Sequence, residues 1–206
     1  MKVLLVNGSP NENGCTRAAL NVVAQALQEN SVETELFWVG RVPVGGCTAC
    51  YGCRKAGKCV FDDKVNAFAE LARSADGFVF GSPVHYAALS GNMTAFMDRL
   101  FFSAGSVFLH KPATAVLSAR RGGTTAAYDQ MNKYFGISQM PIVSSTYWNM
   151  VHGSKAEEVF RDEEGIRCMR QLGKNMAYLL QCKEAGRQAG ILPPAQEPPA
   201  KTNFIR

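Results

Sequence analysis

Five short apolar runs, separated by segments with helical patterning, constrain this chain more than any other feature. Most of the runs do not alternate polar and apolar residues, so both faces of each strand have to be covered. That pattern predicts a parallel sheet with helices on either side, because right-handed crossovers place them there. The runs fall at 2–7, 32–39, 77–81, 113–119 and about 141–146. Helices are predicted over 15–29, 62–73, 91–102 and 124–135, with a final one over roughly 157–182. Ligands of such sheets sit at the carboxyl ends of the strands. The loops that follow the strands are therefore where function is sought.

A chain of 206 residues, 47% hydrophobic and 19% charged, supports one well-buried core and is short for two. The expected layout is one domain over 1–185, carrying a cysteine-rich insertion loop at 45–61, followed by an extended Pro-rich tail over 186–206. The early apolar run 3–6 stops at Asn7-Gly8-Ser9-Pro10, too short for a signal-peptide core or a membrane span. A cytoplasmic protein with no membrane partner is expected. Lys and Arg total 22 against 17 acidic residues, but they are scattered and form no basic stripe. The net charge of +5 is therefore read as attraction for phosphorylated small molecules, not nucleic acid.

The loop after the first strand, Ser9-Pro10-Asn11-Glu12-Asn13-Gly14-Cys15-Thr16, opens a helix, so its hydroxyls and amides can encircle a phosphate. It lacks both the Walker and the dinucleotide glycine patterns, which favours a mononucleotide. An ordinary turn with Asn13 or Thr16 capping the helix fits the same residues. After the third strand, Pro83-Val84-His85-Tyr86 offers a rigid backbone and an aromatic to flank a planar ring, although His85 and Tyr86 also suit a plain turn. After the fourth, Ser118-Ala119-Arg120-Arg121-Gly122-Gly123 supplies a cation for developing negative charge and glycines for close approach, or a solvated arginine pair. Three loops suited to parts of one ligand inform jointly.

Cys47, Cys50, Cys53 and Cys59 are spaced to converge in a tight turn, which admits an iron–sulfur cluster, zinc, or free and partly buried thiols. Seven cysteines without an export signal argue against a disulfide framework. Asp62 and Asp63 read as helix-start residues, and Trp38 as a core or dimer contact. Tyr147 to Met150 and His152 can cover a ligand or pack at an interface.

The run Gly8-Ser9-Pro10 to Thr16, then Gly81-Ser82-Pro83-Val84-His85-Tyr86, Ser90-Gly91 and Phe96-Met97-Asp98-Arg99, resembles the NADPH-dependent FMN reductase and iron–sulfur flavoprotein family over about residues 1 to 150. The resemblance implies a flavodoxin-like doubly wound α/β fold, with five parallel strands in the order 2-1-3-4-5 and helices on both faces. It implies FMN with its phosphate at Ser9, Asn11, Asn13, Gly14, Cys15 and Thr16. The ring then lies against Pro83, Val84, His85 and Tyr86, and the pyrimidine edge near Ser118, Arg120, Arg121, Gly122 and Gly123. No side chain is expected to be catalytic, since the flavin carries the chemistry. The cysteine spacing is similar to the compact 4Fe–4S motif of the iron–sulfur flavoproteins, with Cys47, Cys50, Cys53 and Cys59 as ligands.

The activity implied is transfer of electrons from NAD(P)H through FMN to a small acceptor such as a quinone, flavin, azo or nitro compound. The alternative is an electron carrier linking ferredoxin and FMN through the cluster. A homodimer or homotetramer is expected, since flavin sites on small sheets are commonly completed by a neighbouring subunit.

Overall fold

Val3, Leu4, Leu5 and Val6 are all fully buried, which is why the first strand reads as an unbroken apolar run. In the computed structural model, which describes residues 1–198, Ala200 and Thr202, this strand is β1 (Lys2–Asn7). It is an interior strand of a parallel sheet, between β2 (Glu33–Trp38) and β3 (Gly77–His85), with β5 (Ala113–Ala119) and β6 (Met150–His152) beyond, in the order β2-β1-β3-β5-β6. A two-residue strand, β4 (Ala88–Leu89), folds back antiparallel on the end of β3. Counting only the parallel strands, the order is the expected 2-1-3-4-5.

The alternation of side chains along each strand divides the core into two halves. On one face Leu4, Val6, Phe78 and Phe80 meet Phe68 of α3 (Lys64–Ala72), Phe96 of α4 (Gly91–Ala104) and Phe135 of α5 (Thr124–Ile137). On the other, Val3, Leu5, Val79 and Val116 meet Leu20 and Val23 of α1 (Cys15–Gln28) and Met169, Leu172 and Met176 of α7 (Glu163–Gln188). Each such side chain, fully buried, contributes roughly 1.5–3 kcal/mol. α1 and α7 pack closely because Gly173 has no side chain: a Cβ there would stand 2.6 Å from Ala26 Cβ and 2.8 Å from the Val23 carbonyl.

Several boundaries differ from the sequence reading. The third strand runs on through Ser82, Pro83, Val84 and His85, because β4 pairs with this extension. The fifth strand is not at 141–146. Ala113 bonds the Pro141 carbonyl and accepts from Val143, both at 2.9 Å, giving one isolated bridge at Ile142. Polar groups then bond one another: Ser145 Oγ reaches Asn149 Oδ1 at 2.7 Å, and Asn149 Nδ2 reaches Thr114 Oγ1 at 2.9 Å. Pairing with β5 resumes only at Met150.

The final helix is two, α6 (Ala156–Val159) and α7, separated by Asp162, whose carboxylate caps α7 through the Gly165 amide at 2.9 Å. The cysteine loop holds a short helix of its own, α2 (Gly52–Ala56). Residues 186–188 of the expected tail still belong to α7. Pro199, Lys201 and residues 203–206 of that tail lie outside the described residues. Among the described residues no helix is long and apolar enough to cross a membrane.

Candidate functional site

All five parallel strands end on one edge, so the loops after them share a rim. The first loop is held from within and from its neighbours. Ser9 N–H bonds Asn7 Oδ1 at 3.1 Å, and Asn11 N–H bonds Ser9 Oγ at 3.1 Å. Trp38 Nε1 donates to the Ser9 carbonyl at 2.8 Å, so this tryptophan anchors the loop where the sequence pointed to a core or dimer contact. Gly8 enters it where a side chain is crowded, since a Cβ would stand 2.9 Å from the Gly81 carbonyl and 2.5 Å from Met93 Sδ.

α1 begins at Cys15 with Gly14 at its cap, no capping side-chain bond and no acidic residue in its first turn. Neither Asn13 nor Thr16 therefore caps it, and the leading amides and the positive end of the helix dipole remain available to an anion. The Thr16 hydroxyl is buried and meets Ser118 Oγ at 2.8 Å, joining the first loop to the end of β5.

Between β3 and β4 the chain reverses at Tyr86 and Ala87, both left-handed with φ 51° and 60°. Two such residues make the hairpin turn whose twist matches the strands, at a conformational cost for residues other than glycine. The Tyr86 side chain is fully exposed at the tip. Gly123 has φ +94°, and a Cβ on it would lie 2.8 Å from Ala87 Cα, so the third loop seats against this hairpin.

These loops surround a cleft of about 610 Å3 lined by Ser9, Asn11, Asn13, Gly14, Cys15 and Thr16, by Pro83, Val84 and His85, and by Ser118, Ala119 and Arg120. The volume suits a ligand of cofactor size. Tyr86, Arg121, Gly122 and Gly123 flank the cleft without lining it.

Its remaining wall, Gly153 to Glu157, is absent from the sequence reading. Gly153 N–H bonds the Ala119 carbonyl at 3.0 Å, and its own carbonyl accepts the Cys15 thiol at 3.4 Å. Burial pushes the Cys15 thiol up, which keeps it a donor. Ser154 N–H bonds Glu158 at 2.7 Å, and that bond holds the Glu158 carboxyl below its ordinary value. Arg120 and Lys155 bring positive charge to the cleft, against Glu157. Tyr147 and Trp148 stack edge to face 4.7 Å apart and take no part in this wall.

The four cysteines of the second-strand loop also come together. Cys47, Cys50, Cys53 and Cys59 line one small cavity with Tyr51, Phe61, Arg99 and Phe102. All four are free thiols; Cys47 and Cys50 are exposed, Cys53 and Cys59 half-buried. The cavity measures about 20 Å3, room for roughly one water. Among the described residues no three metal-binding side chains stand close enough for a single ion. Asp63 both caps α3, accepting the Val65 amide at 3.0 Å, and pairs with the buried Arg99 at 2.6 Å.

A doubly wound sheet with an uncapped first helix and a cofactor-sized cleft on its carboxyl rim defines a flavodoxin-like protein. The solved structure of a flavodoxin from the domain Archaea superposes with a TM-score of 0.61 at 15% identity, covering 88% of this chain and 99% of that one. Residues 1–155 match the model of the NADPH-dependent FMN reductase family, and the chain belongs to that family. An iron–sulfur flavoprotein of Methanocaldococcus jannaschii is 29% identical over 188 residues, 87% of this chain and 97% of the relative. A second from the same organism is 30% identical over 190 residues, 83% of this chain and 92% of the relative. By class the chain is an FMN-dependent oxidoreductase.

Proposed function

We propose that the chain holds FMN in the 610 Å3 cleft and passes electrons from NAD(P)H to a small acceptor, a quinone, free flavin, azo or nitro compound. The observation that carries this reading is the convergence on one cleft of the uncapped α1 start, the Thr16–Ser118 hydroxyl pair and Arg120. When bound, the flavin supplies electron exchange with the nicotinamide and with the acceptor.

The chain supplies the rest. Ser9, Asn11, Asn13, Thr16 and the α1 amides bind the phosphate. Pro83, Val84 and His85 present a rigid surface for the ring, fixed by Ser82 Oγ, which accepts the Ser90 amide at 3.1 Å. Arg120 faces the polar edge of the ring, where its guanidinium would oppose negative charge on the flavin, while Ser118 stays at the phosphate end through its 2.8 Å bond with Thr16. Gly123 seats that loop against the hairpin carrying Tyr86, and the Arg121 carbonyl meets His152 Nε2 at 3.1 Å on its other side. The protein works in the cytoplasm as a homodimer or homotetramer. Purified protein loaded with FMN and mixed with NADH or NADPH tests the reading. Steady oxidation with one of these acceptors supports it; a bound flavin that neither nicotinamide reduces overturns it.

A second reading is favoured by the cavity that gathers four cysteines. In it the chain is an iron–sulfur flavoprotein carrying single electrons between ferredoxin and FMN through a 4Fe–4S cluster. The donor set fits: four thiols and no nitrogen or oxygen ligand, with Cys47 and Cys50 on exposed irregular backbone that can open around an inorganic core. Cys47, Cys50, Cys53 and Cys59 would hold the cluster, which supplies one-electron exchange. The two relatives from Methanocaldococcus jannaschii bear that name, and the net charge of +5 complements an acidic ferredoxin. Iron and acid-labile sulfide analysis after anaerobic purification decides it: four of each per chain supports it, none excludes it.

A further inference from the structure

Arg99 is among the largest fully buried side chains of the described residues, and it is turned toward the cysteine loop. Its Nη1 bonds the Gly45 carbonyl at 3.4 Å, at the loop's beginning, and Asp63 at 2.6 Å, just past its end. Nη2 bonds the Phe61 carbonyl at 3.1 Å and the second Asp63 oxygen at 3.0 Å. Nε and Nη2 both point at Cys59 Sγ, at 3.3 and 3.2 Å. The guanidinium also lies 5.0 Å from the centre of the Phe61 ring. A buried cation with each of its nitrogens spent on one loop is not accounted for by packing, since an apolar side chain would fill the same space without a desolvation cost.

We propose that Arg99 closes the four-cysteine site and sets its redox level, its two N–H groups on Cys59 Sγ drawing charge from that sulfur so that the site accepts electrons at a more positive potential. Donation of N–H groups to a ligand sulfur stabilises the more negative, reduced form of the cluster. Asp63 works in opposition, since its carboxylate partly offsets the guanidinium charge while fixing its direction. Arg99 is thus a positioning residue, one that acts through Cys59. The proposal rests on the iron–sulfur reading of the loop.

The experiment uses the full-length protein purified anaerobically as wild type, Arg99→Lys, Arg99→Gln and Asp63→Asn. Asparagine preserves the α3 cap. FMN uptake and circular dichroism report folding, iron and sulfide report loading, and an electron paramagnetic resonance titration reports the midpoint potential. Arg99→Lys and Arg99→Gln are expected to move the midpoint to more negative values, the glutamine further, and Asp63→Asn to more positive values. A loaded Arg99 variant with the wild-type midpoint, or both sites shifting in the same direction, overturns the role given to Arg99. Arg99 variants that bind FMN but lose iron leave the closing function supported. Wild type that takes up no iron overturns the iron–sulfur reading itself, and the proposal with it.

Discussion

Thr16 Oγ1 and Ser118 Oγ lie 2.8 Å apart, both buried, although 102 residues separate them in the chain. The bond ties the start of α1 to the end of β5, two elements that line the cleft. Removing one hydroxyl strands the other, at about 1–3 kcal/mol. Thr16→Val and Ser118→Ala are each expected to lower stability by that amount and to weaken FMN binding. The double variant should lose less than the sum. Chemical denaturation of all four proteins gives the coupling, and additive losses would refute it.

Gly123 meets Ala87 with no room for a side chain, at a φ of +94° that favours glycine. Gly123→Ala adds a Cβ 2.8 Å from Ala87 Cα and so pushes the third loop off the hairpin. A stability loss of about 1–3 kcal/mol is expected. The FMN dissociation constant should rise at least tenfold, since Ser118 and Arg120 move with the loop. Fluorescence titration with FMN measures it.

Through its bond to the Ser154 amide beside the cleft, Glu158 is expected to make ligand release depend on pH. The Ser154 amide, above all, holds its carboxyl below the ordinary value in the folded chain. Its contribution is therefore complete above the unfolded carboxylate value and lost as pH falls through the lowered folded one. Wild type should keep the Gly153–Lys155 wall in place at neutral pH and release FMN more readily below the carboxylate range. Glu158→Gln should already bind more weakly at neutral pH and show a shallower acid limb. Superimposable release curves for the two proteins would remove Glu158 from the argument.

Gly173 sets the distance between α1 and α7. Gly173→Ala places a methyl group 2.6 Å from Ala26 Cβ and against the Val23 carbonyl. Overpacking of about 1–3 kcal/mol is expected. Pairing it with Ala26→Gly should recover part of the loss, and thermal unfolding of the single and double variants measures how much.

The parts legible in the sequence are those that local physics decides. Residues 2–7 and 113–119 carry apolar side chains to both sheet faces, so continuous runs mark them, and Asn7 to Gly14 is dense in turn formers. The parts missed depend on partners distant in sequence. Residues 141–146 have the composition of a strand, yet Pro141 cannot donate to the ladder. Ser145 and Asn149 satisfy their own polar groups, which moves the strand to 150–152. That shift hid the Gly153–Glu157 wall, whose Gly-Ser-Lys start is the one local hint of it. Trp38 on the Ser9 carbonyl and Arg99 on Cys59 span 29 and 40 residues, beyond any periodicity. Asp63 does cap a helix, as its position predicts, and also takes the Arg99 ion pair that no local pattern announces.

The close seat of α7 on α1 bears on how the protein is made. α1 lines the cleft with its first turn, yet the far side of that helix, at Val23 and Ala26, is covered by residues around Gly173. During synthesis these two partners emerge roughly 150 residues apart, an interval of about 7 to 30 s at 5–20 residues per second. Until then α1 can pack on the sheet only with its other apolar flank open to water. Tight capture of FMN is thus an event of the nearly finished chain, and nascent chains stalled before Gly173 should emerge colourless.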